Sequence, residues 1–404
     1  MASDLGFVGA GIQLAPNMAR VLDRLGVWKE IEATAVDIKE ASIRMGSTNE
    51  ELGHVVMHSI KENYGYPHMT GHRSQLAGAM YKGCQAERAI TFHFATKFDS
   101  VISWAPSPTF VVVPREGQPY TVECDILLGA DGIKSPTRVA MLRDLGVSAE
   151  VMDTGQAAYR IMLTREQFAA DPELLALIDK DQSTRWIGER KHIIAYPIAN
   201  HTIYNISTAQ PDDHFAAATN AMYTTRGSKS AMLAVYREFC PTVQKMLNMV
   251  PEGEVCEWKL RVHAALPTWV HGSTALVGDA CHPTLPHLNQ GAAQAIEDAG
   301  VLGVVLPKLP DTRPETINRV LRVYEAVRKE RAETLVELAA QSGRVLHLGE
   351  GAAKAERDRA FKALREGKGP HPDKWADRDV QRMIYGFDCV GVAEEVFAER
   401  FEAM

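Results

Sequence analysis

The stretch "LVGDACHPTLPHLNQGAAQAIEDAG", residues 276–300, contains the loop that decides the fold. It follows the apolar segment "STALVG", which has the pattern of a buried strand, and it leads into an alanine-rich segment with the pattern of a helix. Such connections are usually short, and a long one is often functional. Asp279 comes directly after the strand, where open α/β folds bind their ligands. We therefore expect a binding site here, with a rigid loop capped by aspartate as the alternative.

A second acidic turn has the same layout. In "DILLGADGIKSPTRVAMLRDLG", residues 125–146, the run Ile126–Ala130 is almost fully apolar, which predicts a strand covered on both faces. Asp131 and the glycine after it form a turn pair, and Ser135 followed by proline predicts the start of a helix. Asp131 is therefore expected at the end of a buried strand, as Asp279 is. A purely turn-forming aspartate is the alternative.

A β-rich segment separates these two turns. The segments "AAYRIML", "STRWIGERKHIIAYPI" and "HTIYNIST" are rich in β-branched and aromatic residues with turn residues between them, which predicts antiparallel strands. The chain is thus predicted to consist of an α/β domain in two parts, 1–150 and 261–345, around a β-rich insertion, 151–260. The second part includes a long amphipathic helix that starts at Pro314, and a helical tail, 346–404, ends the chain.

The overall composition excludes several functions. The net charge of -7 over 404 residues argues against nucleic acid as a partner, which would need clustered Lys and Arg. The six cysteines lack CxxC spacing, as is typical of reduced thiols in a cytoplasmic protein. No apolar run approaches the ~20 residues of a membrane span, and no signal-peptide pattern is present. Cys281, His282 and His287 lie close together, but no second ligand pair accompanies them, so no metal site is expected.

The motifs resemble those of one enzyme family. "GDACHPTLPHLNQGAAQAIEDA" resembles the Gly-Asp motif of class A FAD-dependent aromatic monooxygenases, the salicylate hydroxylase-like group. "LLGADGIKSPTR" resembles their Asp-Gly motif, "VGAGIQLAPNMARVLDRLG" the segment that passes the flavin ring, "HRSQL" the stretch whose arginine meets the flavin nucleotide phosphates, and "YGFDC" the terminal stretch. The resemblance covers nearly the whole chain in the family's order. It implies an α/β fold in which a Rossmann-like FAD/NAD(P)-binding domain carries an inserted antiparallel β-sheet substrate domain.

The resemblance also assigns residues to FAD. It implies that Asp279 binds the ribityl chain, that Arg73 meets the pyrophosphate, and that Asp131 supports both FAD and the transient nicotinamide site. It further implies that a glycine turn lets the backbone approach the ring and that a helix N-terminus faces the pyrimidine edge of the flavin. The full set is Ala10, Gly11, Arg73, Asp131, Asp279, Gly291 and Ala292. An isolated surface arginine at Arg73 and an ordinary glycine turn at Gly11 are the alternatives.

One family feature is missing from the sequence. The family begins with a strand and a GxGxxG turn, whereas "GFVGAG" from Gly6 lies too late in the pattern and lacks the strand before it. The expectation is therefore an N-terminally truncated FAD-binding domain. A truncated, cofactor-poor homologue without catalytic activity is one alternative function.

The implied reaction is hydroxylation of an aromatic or phenolic small molecule with NAD(P)H and O₂ through a C4a-hydroperoxyflavin, in secondary metabolism or aromatic catabolism. Arg160 and Tyr196 look like the arginine and tyrosine with which related fungal-type hydroxylases hold phenolic substrates, and His287 could face the substrate as a proton carrier. Trp186 is expected to supply an apolar wall. An oxidative-decarboxylating or dehydrogenating flavoenzyme of the same fold is the other alternative, and a homodimer is left open.

Overall fold

The computed structural model describes residues 10–148, 150–214 and 224–404. Gly6 and the first two residues of the predicted flavin-passing segment lie outside these ranges. The described chain combines parallel and antiparallel sheets with many helices, so the predicted α/β class is confirmed.

The helices of the described residues carry the labels used below. They are α1 (Pro16–Arg24), α2 (Trp28–Glu32), α3 (Ile60–Tyr64), α4 (Arg73–Ala86), α5 (Pro136–Asp144), α6 (Arg165–Phe168), α7 (Pro172–Ile178), α8 (Lys229–Val235), α9 (Pro241–Asn248), α10 (Gly291–Val305), α11 (Pro314–Leu346), α12 (Ala352–Arg365), α13 (Arg378–Tyr385) and α14 (Cys389–Ala403). None of the helices in the described ranges is both long and apolar enough to cross a membrane.

The strands are labelled in the same way. They are β1 (Gly11–Leu14), β2 (Val36–Asp37), β3 (Glu40–Met45), β4 (Glu51–Val56), β5 (Met69–His72), β6 (Thr96–Ser103), β7 (Thr109–Pro114), β8 (Tyr120–Glu123), β9 (Leu127–Gly129), β10 (Val151–Thr164), β11 (Gln182–Gly188), β12 (Lys191–Ile198), β13 (Ile203–Pro211), β14 (Thr224–Arg226), β15 (Cys256–His263), β16 (Val270–His271) and β17 (Thr274–Leu276).

The largest sheet contains the strands predicted for the β-rich insertion. Its order is β14-β15-β10-β13-β12-β11-β3-β4, and its neighbours are antiparallel except β3 and β11. The sequence pattern places residues 40–56 in the first part of the α/β domain, but β3 and β4 extend this sheet instead. They do so because β3 pairs along β11, from Glu40 opposite Gln182 to Met45 opposite Ile187.

The two faces of the large sheet have different surroundings. One face packs a hydrophobic core against α6–α9, and Trp186, 1% exposed, lies in that core. The expectation that Trp186 supplies an apolar wall of the same site as Arg160 and Tyr196 is therefore wrong. Trp186 pairs with Ile193 and therefore lies on the same face of the sheet. Tyr196 lies three positions after Ile193, and residues an odd number of positions apart on a strand lie on opposite faces. Tyr196 accordingly lies on the other face, which also carries Arg160 and Asn205.

A small sheet brings the two predicted acidic turns together. β9 and β17 are parallel neighbours, with Gly129 opposite Leu276, and the Val277 N–H donates to the Gly129 carbonyl at 3.0 Å. β17 is buried as predicted, whereas Leu128 in β9 is 39% exposed. The prediction that β9 is covered on both faces is therefore wrong at Leu128, whereas Gly129 at the end of the strand is buried.

A buried ionic network holds the helix that follows β17. Arg328 on α11 binds Glu297 and Asp298 on α10, with 2.9 Å from its Nε to Asp298 Oδ1, and all three side chains are fully buried. Asp298 also accepts the Gly278 N–H at 2.9 Å and contacts His282 Nε2 at 2.6 Å. Arg328 therefore holds α10 directly, and through Asp298 it also holds the loop that carries Asp279.

The starts of two helices differ from the sequence pattern. The pattern predicts Asn17 as the cap of α1 and Ser74 as the cap of α4. The structure starts α1 at Pro16, and the Asn17 amide instead donates to Glu297 Oε1 at 2.6 Å. α4 starts at Arg73, with His72 accepting the N–H of Ser74. In both cases a tertiary or neighbouring partner competes for the side chain that local pattern assigns to the cap.

The first prediction concerns this network. Replacing Arg328 by Met should lower the free energy of unfolding by about 3 kcal/mol at neutral pH, because two buried carboxylates lose the cation they share and keep only Arg331 at Glu297 and His282 at Asp298. Urea denaturation followed by circular dichroism measures this. The matched control is Arg344→Met, whose exposed pair with Glu337 should contribute about 1 kcal/mol or less.

The pH dependence of the same pair of proteins provides a check. Burial alone would raise the pKa of Glu297 and of Asp298, but Arg328 and the other cations outweigh it and hold both pKa values below the ordinary ones. Their stabilisation is therefore present above the unfolded-state pKa and is lost as the pH falls through the lower folded-state pKa. The deficit of Arg328→Met should shrink in acid, and an unchanged deficit would contradict this account.

The second prediction concerns the seam between β1 and the large sheet. The Gly11 N–H donates to Asn205 Oδ1 at 2.7 Å, and a Cβ on Gly11 would lie 2.5 Å from Asn205 Cγ. Gly11→Ala should therefore lower the free energy of unfolding by about 1–3 kcal/mol. Adding Asn205→Gly should recover part of the loss, because it removes both the Cγ and the Cβ of residue 205, which would lie 2.5 and 2.8 Å from the new methyl group. Additive effects of the two substitutions would show that the close approach is not the cause.

Candidate active site

The two acidic turns lie at one edge of the small sheet. Because β9 and β17 are parallel neighbours, the residues after their carboxyl ends, Asp131 and Asp279, emerge on the same side. Both are solvent-accessible. Asp131 Oδ2 accepts the N–H of Thr137 at 3.0 Å, so it also caps α5 together with Ser135. The predicted helix-capping role of Ser135 is confirmed, and the two aspartates share an edge.

Asp279 lies on a loop that approaches α10 closely. It follows Gly278, whose φ of 62° lies in the left-handed region, and a Cβ on Gly278 would lie 3.2 Å from Ala295 Cβ on α10. The loop thus lies so close to α10 that any residue with a side chain at position 278 would be strained. Desolvation raises the pKa of Asp279, although its side chain is accessible, and His282 and Arg73 act in the opposite direction. An accessible carboxylate that is nevertheless desolvated is typical of a cleft.

Arg73 is the charge that connects the two halves of the site. Its N–H donates to the Ala10 carbonyl at 3.0 Å, so α4 begins beside β1. Its guanidinium is exposed, and no hydrogen bond or ion pair is recorded for it in the described chain. Arg73 acts on the pKa values of Asp279, Arg160 and Tyr196. The Ala10 residue to which Arg73 is bonded also lines a cavity with Arg160, and we call Arg73, Asp279, Arg160 and Tyr196 the Arg73 cluster.

Arg160 and Tyr196 reach this site from the large sheet. Burial, and then the charge of Arg73, lower the pKa of Arg160 to about 10, against the effect of Tyr196. The Arg160 guanidinium stacks over Trp258, with Cζ 4.7 Å from the ring centroid. Burial raises the pKa of Tyr196, against the effect of Arg160 and Arg73, so its phenol stays protonated at neutral pH.

A cavity of about 320 Å³ opens beside Arg160. Ala10 lines it from the β1 side, and Trp258 and Cys256 line it from β15. Its walls are mostly apolar, with Arg160 and Glu254 as charged groups, as is usual for a small-molecule site. The residues that line it are Ala10, Arg160, Ile161, Met162, Val250, Pro251, Glu254, Cys256 and Trp258.

The N-terminus of α10 carries the remaining predicted residues. Gly291 and Ala292 form its first turn and are partly accessible. The cap position, Gln290, makes no side-chain cap hydrogen bond, so the first N–H groups of the helix are available to a ligand. The partial positive charge of a helix N-terminus suits an anion or a group that becomes anionic.

His287 lies apart from the cavity. Its side chain is 1% exposed, and its ring packs against His192 and His347 at 5.4 Å between centroids. Burial, and then the charges of His347 and Arg185, lower its pKa to about 3. The position expected from sequence, facing the substrate as a proton carrier, is not the one observed, because the loop turns this ring inward against α11.

Two residues of the site were not anticipated from sequence. Asn205 follows the alternation of "HTIYNIST" and pairs with Tyr196 across β12 and β13, so strand periodicity could have identified it. Trp258 lies on β15, which returns to the sheet from an irregular segment. Its place beside Arg160 depends on a bulge in the register between β10 and β15.

These residues fit a flavin dinucleotide. An exposed arginine without a partner suits its phosphates, an accessible aspartate at a strand end suits a polyol hydroxyl, and an uncapped helix N-terminus suits the electron-accepting ring edge. The missing Cβ at Gly11 is explained by the Asn205 side chain, which fills that space, so this glycine joins β1 to the large sheet.

Comparisons with known proteins agree with this fit. Residues 9–339 match the family described as an FAD binding domain. The FAD-dependent monooxygenase atnJ of Arthrinium sp is 31% identical over 396 residues, which is 98% of this chain and 89% of that protein. The 3-hydroxybenzoate 6-hydroxylase of Klebsiella oxytoca is 28% identical over 86% of this chain and 81% of its own length.

Solved structures show the same fold. A salicylate hydroxylase in a substrate complex superposes with a TM-score of 0.75 at 23% identity, over 96% of this chain and 90% of that one. CtdE in complex with FAD and a substrate superposes with a TM-score of 0.79 at 17% identity, over 99% and 91%. The family that the sequence motifs resemble is thereby confirmed, and this chain belongs to the class A FAD-dependent monooxygenases with this FAD-binding domain.

Proposed function

We propose that the chain hydroxylates an aromatic or phenolic small molecule with NAD(P)H and O₂. The observation that carries the proposal is the cavity lined by both Ala10 and Arg160, because Ala10 is also hydrogen-bonded to the backbone of Arg73 at the cofactor end. A cavity bounded by Arg160 therefore lies next to the cofactor site. The name of the 3-hydroxybenzoate relative, an aromatic hydroxylase, supports the same reaction type.

The proposal assigns a role to each cofactor residue. Arg73 holds the phosphates with its planar fork, and Asp279 binds a ribityl hydroxyl. Asp131 supports the nucleotide from the neighbouring strand end, and the backbone of Ala10 and Gly11 passes beside the flavin. The helix N-terminus at Gly291 and Ala292 stabilises negative charge on the ring. FAD, when bound, would accept a hydride and activate oxygen. The protein would orient the cofactor and the substrate and exclude water from the site.

Arg160 and Tyr196 orient and activate the substrate. A partly desolvated guanidinium stabilises a phenolate strongly, because the interaction is stronger in a site from which water is excluded. The protonated phenol of Tyr196 donates a hydrogen bond to a substrate oxygen. Trp258, stacked on Arg160, keeps the guanidinium in place and offers an apolar wall to an aromatic ring. His287 is left out of the chemistry, because its lowered pKa keeps the buried ring neutral.

The third prediction tests the cofactor residues. Asp279→Ala should raise the FAD dissociation constant by about 10- to 100-fold, because a charge-assisted hydrogen bond contributes about 1.5–3 kcal/mol. Quenching of flavin fluorescence on binding measures the constant. The control Asp144→Ala removes an exposed carboxylate that pairs with His271 and should leave the constant unchanged. Equal affinities in all three proteins would remove Asp279 from the site.

The fourth prediction tests the reaction and the substrate residues. With a panel of phenols, NAD(P)H and isotopically labelled O₂, the enzyme should give a product that carries one labelled oxygen atom. Arg160→Met should lower kcat/KM by about 10²- to 10³-fold, as loss of one oxyanion-stabilising group does, with FAD affinity unchanged. Tyr196→Phe should lower it less. Arg165→Met, at an exposed pair with Asp179, is the control.

The label separates this reaction from its alternatives. An oxidised product without label would support a dehydrogenating or decarboxylating flavoenzyme instead. Retention of full kcat/KM in Arg160→Met would mean that the guanidinium does not touch the substrate. A preparation that holds no flavin after reconstitution would contradict both the cofactor assignment and the reaction.

A further inference from the structure

Three histidines from separate elements meet in the interior, away from the Arg73 cluster. They are His192 on β12, His287 in the turn before α10, and His347 at the end of α11. One ring nitrogen of each lies within 4.8 Å of the others. Nδ1 of His192 and Nε2 of His347 are only 2.6 Å apart, a hydrogen-bond distance. Sequence spacing gave no sign of this group, because its members lie far apart in the chain.

His287 lacks partners within this group. Its side chain is 1% exposed, and neither Nδ1 nor Nε2 has a hydrogen-bond partner in the described chain. A buried polar atom without a partner costs about 1–3 kcal/mol, so native proteins usually satisfy it with a ligand or water. The ring is tightly seated, because a Cβ on Gly343 would lie 2.6 Å from its Cδ2.

The charged groups near the three histidines are paired with one another, so they do not oppose the binding of a cation. Arg185 and Arg357 are the cations whose charges lower the pKa of His347. Each already has a carboxylate, with 2.6 Å from Arg185 Nη1 to Asp373 and 2.7 Å from Arg357 Nη2 to Asp358. The surroundings of the three rings are therefore close to neutral. A divalent ion bound with a hydroxide would add only one net charge.

We propose that His192, His287 and His347 bind one divalent transition-metal ion. Three imidazoles select zinc, copper or nickel over magnesium or calcium, which prefer oxygen ligands. Metal–nitrogen bonds of about 2.0–2.1 Å in a tetrahedron place the nitrogens about 3.3 Å apart. The His192–His347 pair would open by less than about 1 Å and His287 would close by about 1.5 Å at most, with the fourth position open to water.

Such an ion would tie three parts of the fold together. β12 belongs to the large sheet, the turn at His287 follows the Asp279 loop, and α11 carries Arg328. A metal that binds the folded chain and not the unfolded one stabilises the fold by mass action. The inference does not depend on the proposed reaction, and its test needs no substrate.

The fifth prediction is metal binding by the full chain with FAD. After treatment with EDTA, equilibrium dialysis against Zn²⁺ and elemental analysis should give one equivalent per chain, and Cu²⁺ should show nitrogen hyperfine splitting in its paramagnetic resonance spectrum. His287→Gln and His347→Gln should each weaken Zn²⁺ binding by roughly tenfold or more, since even loss of a ligand's supporting partner costs 10–100-fold. His201→Gln, at an exposed pair with Asp181, is the control.

Thermal unfolding separates a lost ligand from a lost fold. Zn²⁺ should raise the Tm of the wild-type protein and of His201→Gln, but not that of the double variant His287→Gln/His347→Gln, whose circular dichroism reports whether it folds. The proposal is overturned if the wild-type protein retains no Zn²⁺, if His287→Gln binds it as tightly as the wild type, or if copper shows only oxygen ligation.

Discussion

The site depends on one buried ion network, that of Arg328. Its guanidinium binds carboxylates on two successive residues of α10, Glu297 and Asp298. Asp298 in turn holds the Gly278 N–H, so the loop with Asp279 cannot move without breaking a bond to a buried charge. Breaking such a network is expensive, whereas forming it adds little net stability. The network matters here because it fixes the position of the strand end relative to the helix N-terminus.

The second constraint joins the two layers of the molecule. β1 lies in the α/β part and Asn205 lies on the large sheet, and the Gly11 hydrogen bond brings the two backbones as close as a glycine allows. That closeness places Arg73, which begins α4 beside β1, within reach of Arg160 and Tyr196. A site that needs a cofactor on one layer and a substrate on the other requires such a seam.

The local sequence pattern predicted the secondary structure correctly where the apolar residues of the pattern are also the buried ones. The run "TALVG" is a buried strand, α11 begins at Pro314 as its pattern predicts, and Ser135 caps α5. The motif order pointed to the family, which the relatives confirm. Pattern failed where a tertiary partner competed, as at Asn17, which binds Glu297 and does not cap α1. It failed at Trp186 because strand phase, which decides the face, depends on register.

The sequence by itself determined the fold class, the family, and the residue types at the strand ends, because these are local features: apolar runs, turn pairs and a helix start. Only the tertiary structure decided which side chains meet. It made β9 and β17 neighbours, and it turned His287 inward to His192 and His347. Contacts between residues that lie far apart in the chain depend on sheet order and strand register, which are set by the packing of the whole chain.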